Sequence, residues 1–282
     1  MKLERVRELT PLSRLVYFIC ERESIRLKKE AGEPKPWTDD PTLQAYRFCN
    51  IVRMNDLVSR WLMDNWYKPF YGHPNAVLAC VMARQINRIE TLEVVGFPEV
   101  WQPAEVENKM RAINKNGPVF GAAYMITGSV GKGDKIDQVV NIVMQSISDN
   151  APDIDTGSME RSVEALRSYP GMGQFIAGQV VADLRWAVPG KWSDRYTWAA
   201  MGPGSKRGMN RLHGRDKDAP LNQKQFLLEL LKLSVQLEDA LPKSIYERLE
   251  LHDVQNCLCE YDKMERILWG QGRPKKLYPG AA

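Results

Sequence analysis

The chain has 282 residues, 44% hydrophobic and 26% charged, which excludes a disulfide-stapled mini-protein, a fibrous chain and wholesale disorder. Lys and Arg total 39 against 35 Asp and Glu, a formal charge of +4, so nucleic acid is a permitted partner and not a demanded one. Five cysteines without a C-x-x-C pair fit reduced thiols. No run approaches the roughly 18 apolar residues of a membrane span, and the start MKLERVRELTPLSR lacks the apolar centre of a signal peptide. A cytosolic protein without a membrane partner is expected.

Helical periodicity dominates and alternating strand patterns are scarce, so the fold class expected is all-α, a single two-lobed helical unit over residues 1–282. Thr42 to Tyr67 reads as one long amphipathic helix. Phe48, Ile51, Val58, Trp61 and Leu62 fall on one side, and Asn50, Arg53 and Arg60 fall together on the other. A second helix is expected from about Asn75 to Val95, stopping before Gly96 and Pro98. Asn116 to Lys135 is Gly-rich and reads as a loop around a short apolar element. Its Gly128-Ser129-Val130-Gly131-Lys132-Gly133 lacks the G-x-x-x-x-G-K-[ST] spacing of a phosphate-binding loop, so an ATP site is not expected. Ile136 to Ile147 follows as a helix and stops at SDNAPDIDTGS. From Met159 helix resumes, breaks at Tyr169 to Gly173 and restarts to about Trp186. Leu221 to Leu241 and roughly Leu251 to Leu268 are the last helices, and GQGRPKKLYPGAA, residues 270–282, reads as a basic arm.

The most specific local pattern lies at residues 160–186. Two short helices joined by Pro170-Gly171-Met172-Gly173, with a small residue at Ala177, form a helix-hairpin-helix pattern. Gly171 and Gly173 permit a tight turn, and the N–H groups that open the second helix suit a DNA phosphate without reading sequence. In glycosylases built on such a hairpin an Asp lies some twenty residues beyond the second glycine, which makes Asp183 and Asp194 candidates. Phe175 and Ile176 stand where a lyase lysine is expected, so lysine-type lyase chemistry is not.

Met201 to Arg211 reads as a loop in which Gly202, Gly204, Lys206, Arg207 and Arg211 offer donors and charge to a phosphate. Glu260 and Lys263 are three apart and Asp262 and Arg266 four apart on the last helix, spacings that suit ion pairs on a helix surface. Cys257 and Cys259 at i and i+2 cannot chelate together. His73, His213 and His252 are scattered, so neither a metal nor any other cofactor is expected.

Several separate motifs together resemble the phage thymine-hypermodification enzymes called alpha-glutamyl/putrescinyl thymine pyrophosphorylases, or amino acid:DNA transferases. The resemblance rests on Phe48-Cys49-Asn50-Ile51-Val52-Arg53-Met54-Asn55-Asp56 with Ser59-Arg60-Trp61, on Ala83 to Arg88, and on Gly121 to Ile126. It continues through Ala182-Asp183-Leu184, Gly202-Pro203-Gly204, Leu258 to Lys263 and Gly270 to Arg273. Met54-Asn55 departs from it, since an acidic residue is expected before Asp56.

The resemblance implies a glycosylase-like helical fold acting on double-stranded DNA whose 5-hydroxymethyluracil has been phosphorylated by a separate kinase. A small amine or amino acid, glycine above all, then displaces phosphate or pyrophosphate, and the modification shields a viral genome from restriction in the host cytoplasm. Chemistry on C5 substituents favours a flipped nucleotide. Contacts to phosphate or DNA are expected from Asn50, Arg53, Arg84, Asn87 and Lys263 besides the glycine-rich segments. Asp183 is the first choice for taking the amine's proton and Glu260 the second. Cys49 or Cys259 is the candidate nucleophile of a covalent variant. A helix-hairpin-helix glycosylase using Asp194 is the alternative.

Overall fold

The apolar positions that recur every three or four residues do become helices, but their continuity depends on where the polar side chains between them find partners. The computed structural model describes residues 3–121, 130–272 and 277. These residues are all-helical; their β pairing is the isolated antiparallel bridge Tyr46–Leu277. The segment Ala122–Ser129, with most of the Gly121–Ile126 motif, and Arg273, Lys275 and Lys276 of the basic arm lie outside the described residues. The chain divides into two compact units, Met1–Asp56 with Tyr196–Ala282, and Leu57–Arg195.

The first unit opens with α1 (Leu3–Glu8), α2 (Pro11–Glu30) and α3 (Pro41–Ala45). Thr10 caps α2 by accepting the Ser13 N–H at 3.2 Å, and Asp40 caps α3 through the N–H groups of Thr42 and Leu43 at 2.7 and 3.1 Å. The helix expected from Thr42 to Tyr67 does not form as one piece. It stops at Ala45, runs extended from Tyr46, makes a 3-10 turn at Arg53–Asn55 and becomes helical again in the second unit. The physical reason is competition for the backbone. Glu260 takes the Cys49 N–H, Asp56 takes the Asn50 N–H, and Arg22 donates to the carbonyls of Phe48 and Cys49. These long-range bonds replace the i to i−4 ladder that the apolar spacing suggested.

The second unit contains α4 (Leu57–Leu62), which continues as a π-helical turn at Met63–Tyr67, then α5 (Ala76–Ile86), α6 (Ile89–Val95) and α7 (Pro103–Asn114). The helix expected from about Asn75 to Val95 is therefore two helices. Asn87 ends α5 in the left-handed conformation at φ +45°, a conformation Asn tolerates better than most residues. Helix α8 (Lys135–Asp137), a π segment at Gln138–Met144 and α9 (Gln145–Asp149) are contiguous and match the Ile136–Ile147 expectation. Then come α10 (Met159–Arg167) and α11 (Gln174–Ala187). Helix α5 is buried on nearly all sides, packs on α11, and α11 packs on α10.

The chain returns to the first unit with α12 (Pro203–Leu212), α13 (Gln223–Ala240), α14 (Lys243–Tyr246) and α15 (Leu251–Leu268). Its core gathers Phe18 and Ile19 of α2, Phe226 and Leu230 of α13, and Val254 and Tyr261 of α15. Residues Met201 to Arg211, read from sequence as a glycine-rich loop, are mostly helix α12. Pro203 stands at its first position, where its missing N–H costs nothing, and the Gly202 N–H is taken by Ser205 Oγ at 3.0 Å. The glycines serve packing. A Cβ on Gly208 would lie 2.2 Å from Leu258 O, and one on Gly204 would lie 2.3 Å from Cys259 Sγ. The pair at i and i+4 lets the backbones of α12 and α15 approach closely. No helix among the described residues is long and apolar enough to cross a membrane.

Candidate functional site

In the first unit the segment Phe48–Asp56 and helix α15, far apart in sequence, meet around buried polar groups. Glu260 Oε2 accepts the Cys49 N–H at 2.8 Å and the Lys263 ammonium at 2.6 Å, while its Oε1 accepts no hydrogen bond from the described residues. Lys263 Nζ also lies 5.2 Å from the centre of the Phe48 ring. Burial works against its charge, but Glu260 and Cys49 outweigh burial, and Lys263 titrates above the ordinary lysine value. Asp56 Oδ1 accepts the Asn50 N–H at 2.8 Å, Asn50 Nδ2 donates to Asn55 O at 2.7 Å, and Asp253 accepts the Arg53 N–H at 2.8 Å. Burial above all, with Glu260 adding repulsion, pushes the Asp56 carboxyl up to about 6 although the Asn50 N–H opposes it. The Glu260–Lys263 spacing therefore does form an ion pair, but a largely buried one.

The same burial speaks against the thiols as nucleophiles. Burial and then Glu260 push Cys49 well above the usual thiol range, and Cys259 is pushed up to about 12 by burial and Glu260. The thiolate is the nucleophilic form, and the surroundings of Cys49 and Cys259 disfavour it; Cys259 Sγ packs where Gly204 makes room.

The cations of α12 are also committed. Arg207 Nε and Arg211 Nε donate to the two oxygens of Asp262 at 2.9 and 2.8 Å, and Arg211 Nη2 reaches Gln271 at 2.7 Å. Asp262 is wholly buried and anchors α12 to α15, and the expected pair with Arg266 also forms, Arg266 Nε lying 3.5 Å from Asp262 Oδ2. Gly202 and Gly204, expected from sequence in a phosphate-cradling loop, are buried at the start of α12. Lys206 is partly exposed.

In the second unit Asp183 has no exposed surface and Arg84 only 2%. Arg84 Nε and Nη2 grip the two oxygens of Asp183 at 2.5 and 2.7 Å, and Tyr67 OH donates to Asp183 Oδ2 at 2.6 Å. Arg84 further donates to Ser59 Oγ at 3.1 Å and Asn87 Oδ1 at 3.2 Å. A carboxylate held by a guanidinium fork and a phenol, without solvent access, braces α5 against α11 and is not presented to an amine. Arg84 and Asn87 are likewise part of this brace. This brace is where the structure places Asp183, Arg84 and Asn87, expected from sequence to take a proton or to contact phosphate.

Asp194 is also structural. It accepts Ser158 Oγ at 2.8 Å and the N–H groups of Met159 and Glu160 at 2.7 and 3.0 Å, which caps the start of α10. Between α10 and α11, Gly171 takes φ +70° while a Cβ there would meet Val143 Cγ2 at 2.9 Å, so only glycine suits the turn. Gly173 is exposed, with open space around it. Among the described residues no group of three His, Cys, Asp or Glu side chains could hold a metal ion.

Sequence reasoning passed over Arg22 and Tyr67, and gave Asp56 and Asp262 no role in a site. Arg22 Nε donates to the carbonyls of Phe48 and Cys49 at 3.3 and 3.1 Å, and Nη2 donates to Asn50 Oδ1 at 2.6 Å. The available signal for Asp56 and Asp262 was their place inside the Phe48–Asp56 and Leu258–Lys263 motifs. No local pattern marked Arg22, which lies on the otherwise ordinary helix α2.

Residues 10–273 match the family described as "5-hmdU DNA kinase, helical domain". Over 226 residues the chain is 28% identical to the 5-hmdU DNA kinase of Bacillus phage SP10, covering 69% of this chain and 35% of that protein. The chain thus spans about a third of the length of this relative. No solved structure matches it.

Proposed function

The chain belongs to the 5-hmdU DNA kinase helical-domain family, and from that premise we propose that it is a DNA-modifying transferase of phage thymidine hypermodification. Its substrate is double-stranded DNA carrying phosphorylated 5-hydroxymethyluracil, made by a 5-hydroxymethyluracil DNA kinase to which it is functionally coupled. The observation that carries the reading is the Glu260 centre, a buried carboxylate with one oxygen that accepts no hydrogen bond from the described residues, beside Lys263. In the proposed step the neutral amine nitrogen bonds to the exocyclic methylene carbon. The carbon–oxygen bond to phosphate breaks, phosphate leaves with the electron pair, and the amine proton passes to Glu260. Lys263 offsets the charge that develops on the leaving oxygens. The base is flipped for the step, and the Pro170–Gly173 turn, read as a helix-hairpin-helix, holds the DNA backbone through the start of α11. Arg53 and Lys206 add positive charge for phosphate.

Incubating duplex DNA that carries 5-phosphomethyluracil with glycine and a panel of other amines, then digesting it to nucleosides for mass spectrometry, tests the reading. A new aminoalkyl nucleoside supports it, and abasic sites would instead mark a glycosylase. The family's description favours one second reading, a module that binds the substrate of a kinase. It requires salt-dependent binding of hydroxymethylated DNA with no product from any amine.

A further inference from the structure

Arg22 carries a group that the mechanism above leaves unexplained. Its side chain is buried, with 8% of the residue exposed, and three of its contacts tie the Phe48–Asn50 segment to α2. The remaining nitrogen, Nη1, is buried and donates to no acceptor among the described residues. Native proteins seldom leave a buried guanidinium N–H without an acceptor, because such a group has lost its water and gained nothing in return. Arg22 and Asp56 both hold Asn50, Arg22 through the side-chain oxygen and Asp56 through the N–H, next to the Cys49 N–H that Glu260 holds. One guanidinium with a spare donor and two carboxylates therefore surround the same short segment.

We infer that Arg22 selects the amine donor, receiving the donor's carboxylate on Nη1 while the donor's amino group lies toward Asp56 and Glu260. The inference rests on the transfer reading and assigns a residue to donor choice. A phosphate dianion in this place meets two carboxylates. A diamine adds positive charge beside Arg22 and leaves Nη1 without an acceptor. An α-amino acid carries an anion and an amine on one carbon and satisfies both sides of the cluster.

The test uses the full chain with duplex DNA carrying 5-phosphomethyluracil and measures donor binding by calorimetry alongside product by mass spectrometry. The donors are glycine, serine, their amides and putrescine. Wild-type protein is expected to bind at least one amino acid tenfold or more tightly than its amide or putrescine. Arg22→Lys keeps the charge and loses the fork, and is expected to abolish that preference with an unchanged circular-dichroism spectrum. If Arg22→Lys does not fold, Asn50→Asp places a competing carboxylate on the fork and is expected to weaken amino-acid binding in the same way. Equal affinity for acid and amide, no binding of either acid, or a preference unchanged in the variants overturns the role of Arg22. Arg22-dependent binding without transfer of any amine leaves the carboxylate site standing and overturns the transfer reading.

Discussion

The partnered acids of the two units are held in different ways. In the second unit, Asp183 and Asp194 are engaged by donors on both oxygens, from a guanidinium fork and a phenol for Asp183 and from the start of α10 for Asp194. In the first unit, Glu260 and Asp56 accept backbone N–H groups of a non-helical segment, and Glu260 keeps one oxygen without a hydrogen-bond donor among the described residues. An acid whose oxygens are all engaged by rigid helices fixes the fold. An acid with spare acceptor capacity beside a cation retains the means to take a proton. Burial alone does not separate the two kinds.

The contrast breaks most severely at Asp183. Asp183→Ala leaves Arg84 buried without its counter-charge and is expected to destabilise the protein by about 3–5 kcal/mol in urea titration; a stability near wild type would remove the bracing role. Gly208→Ala follows, since its Cβ would strike the backbone of Leu258 at 2.2 Å. The expected cost is about 3 kcal/mol. Gly204→Ala meets the Cys259 side chain and should cost less, with part of the loss recovered in a Gly204→Ala, Cys259→Ala double variant, so an equal cost at both glycines contradicts the packing account.

Asp56 sharpens the contrast through pH. Its folded pKa of about 6 lies above the ordinary 3.8, so the folded state holds this proton more tightly than the unfolded one. The resulting contribution to stability is fully present below the ordinary value and is lost as pH rises through about 6. Asp56→Asn should remove a pH-dependent component on the order of 3 kcal/mol between those limits. Denaturation midpoints measured from pH 4 to 7 check this, and an unaltered pH slope would count against it. The smallest effect is expected at Asp194. Asp194→Ala should cost about 1 kcal/mol as a lost helix cap and leave activity per folded molecule unchanged, whereas the glycosylase alternative requires loss of activity.

Sequence patterning reached those parts of the molecule whose order is set locally. Helix α15 falls at Leu251–Leu268 as read, and the break between α10 and α11 falls at the Pro-Gly turn. Thr42–Tyr67 shows why local reading fails elsewhere. Its apolar spacing is helical, but the partner of the Cys49 N–H is 211 residues away, and no local pattern reveals that Glu260 competes for it. Glycines 202, 204 and 208 were read as loop formers because close helix packing and turn flexibility use the same residue. For the site, the motifs containing Asn50, Glu260 and Lys263 were legible as a set. The choice between Asp183 and Glu260 was not, because both are carboxylates in apolar helices and only their partners in space distinguish them.

The most direct measurement compares wild-type protein with Glu260→Gln on duplex DNA carrying 5-phosphomethyluracil and a reactive amine donor, with nucleosides counted by mass spectrometry and folding checked by circular dichroism. Glutamine preserves an acceptor for the Cys49 N–H but cannot take a proton. The expected result is an aminoalkyl nucleoside with wild type and a fall of roughly 10²–10⁴ in its rate of formation with the variant. An undiminished rate in a folded Glu260→Gln protein, or abasic sites in place of the new nucleoside, would contradict the account.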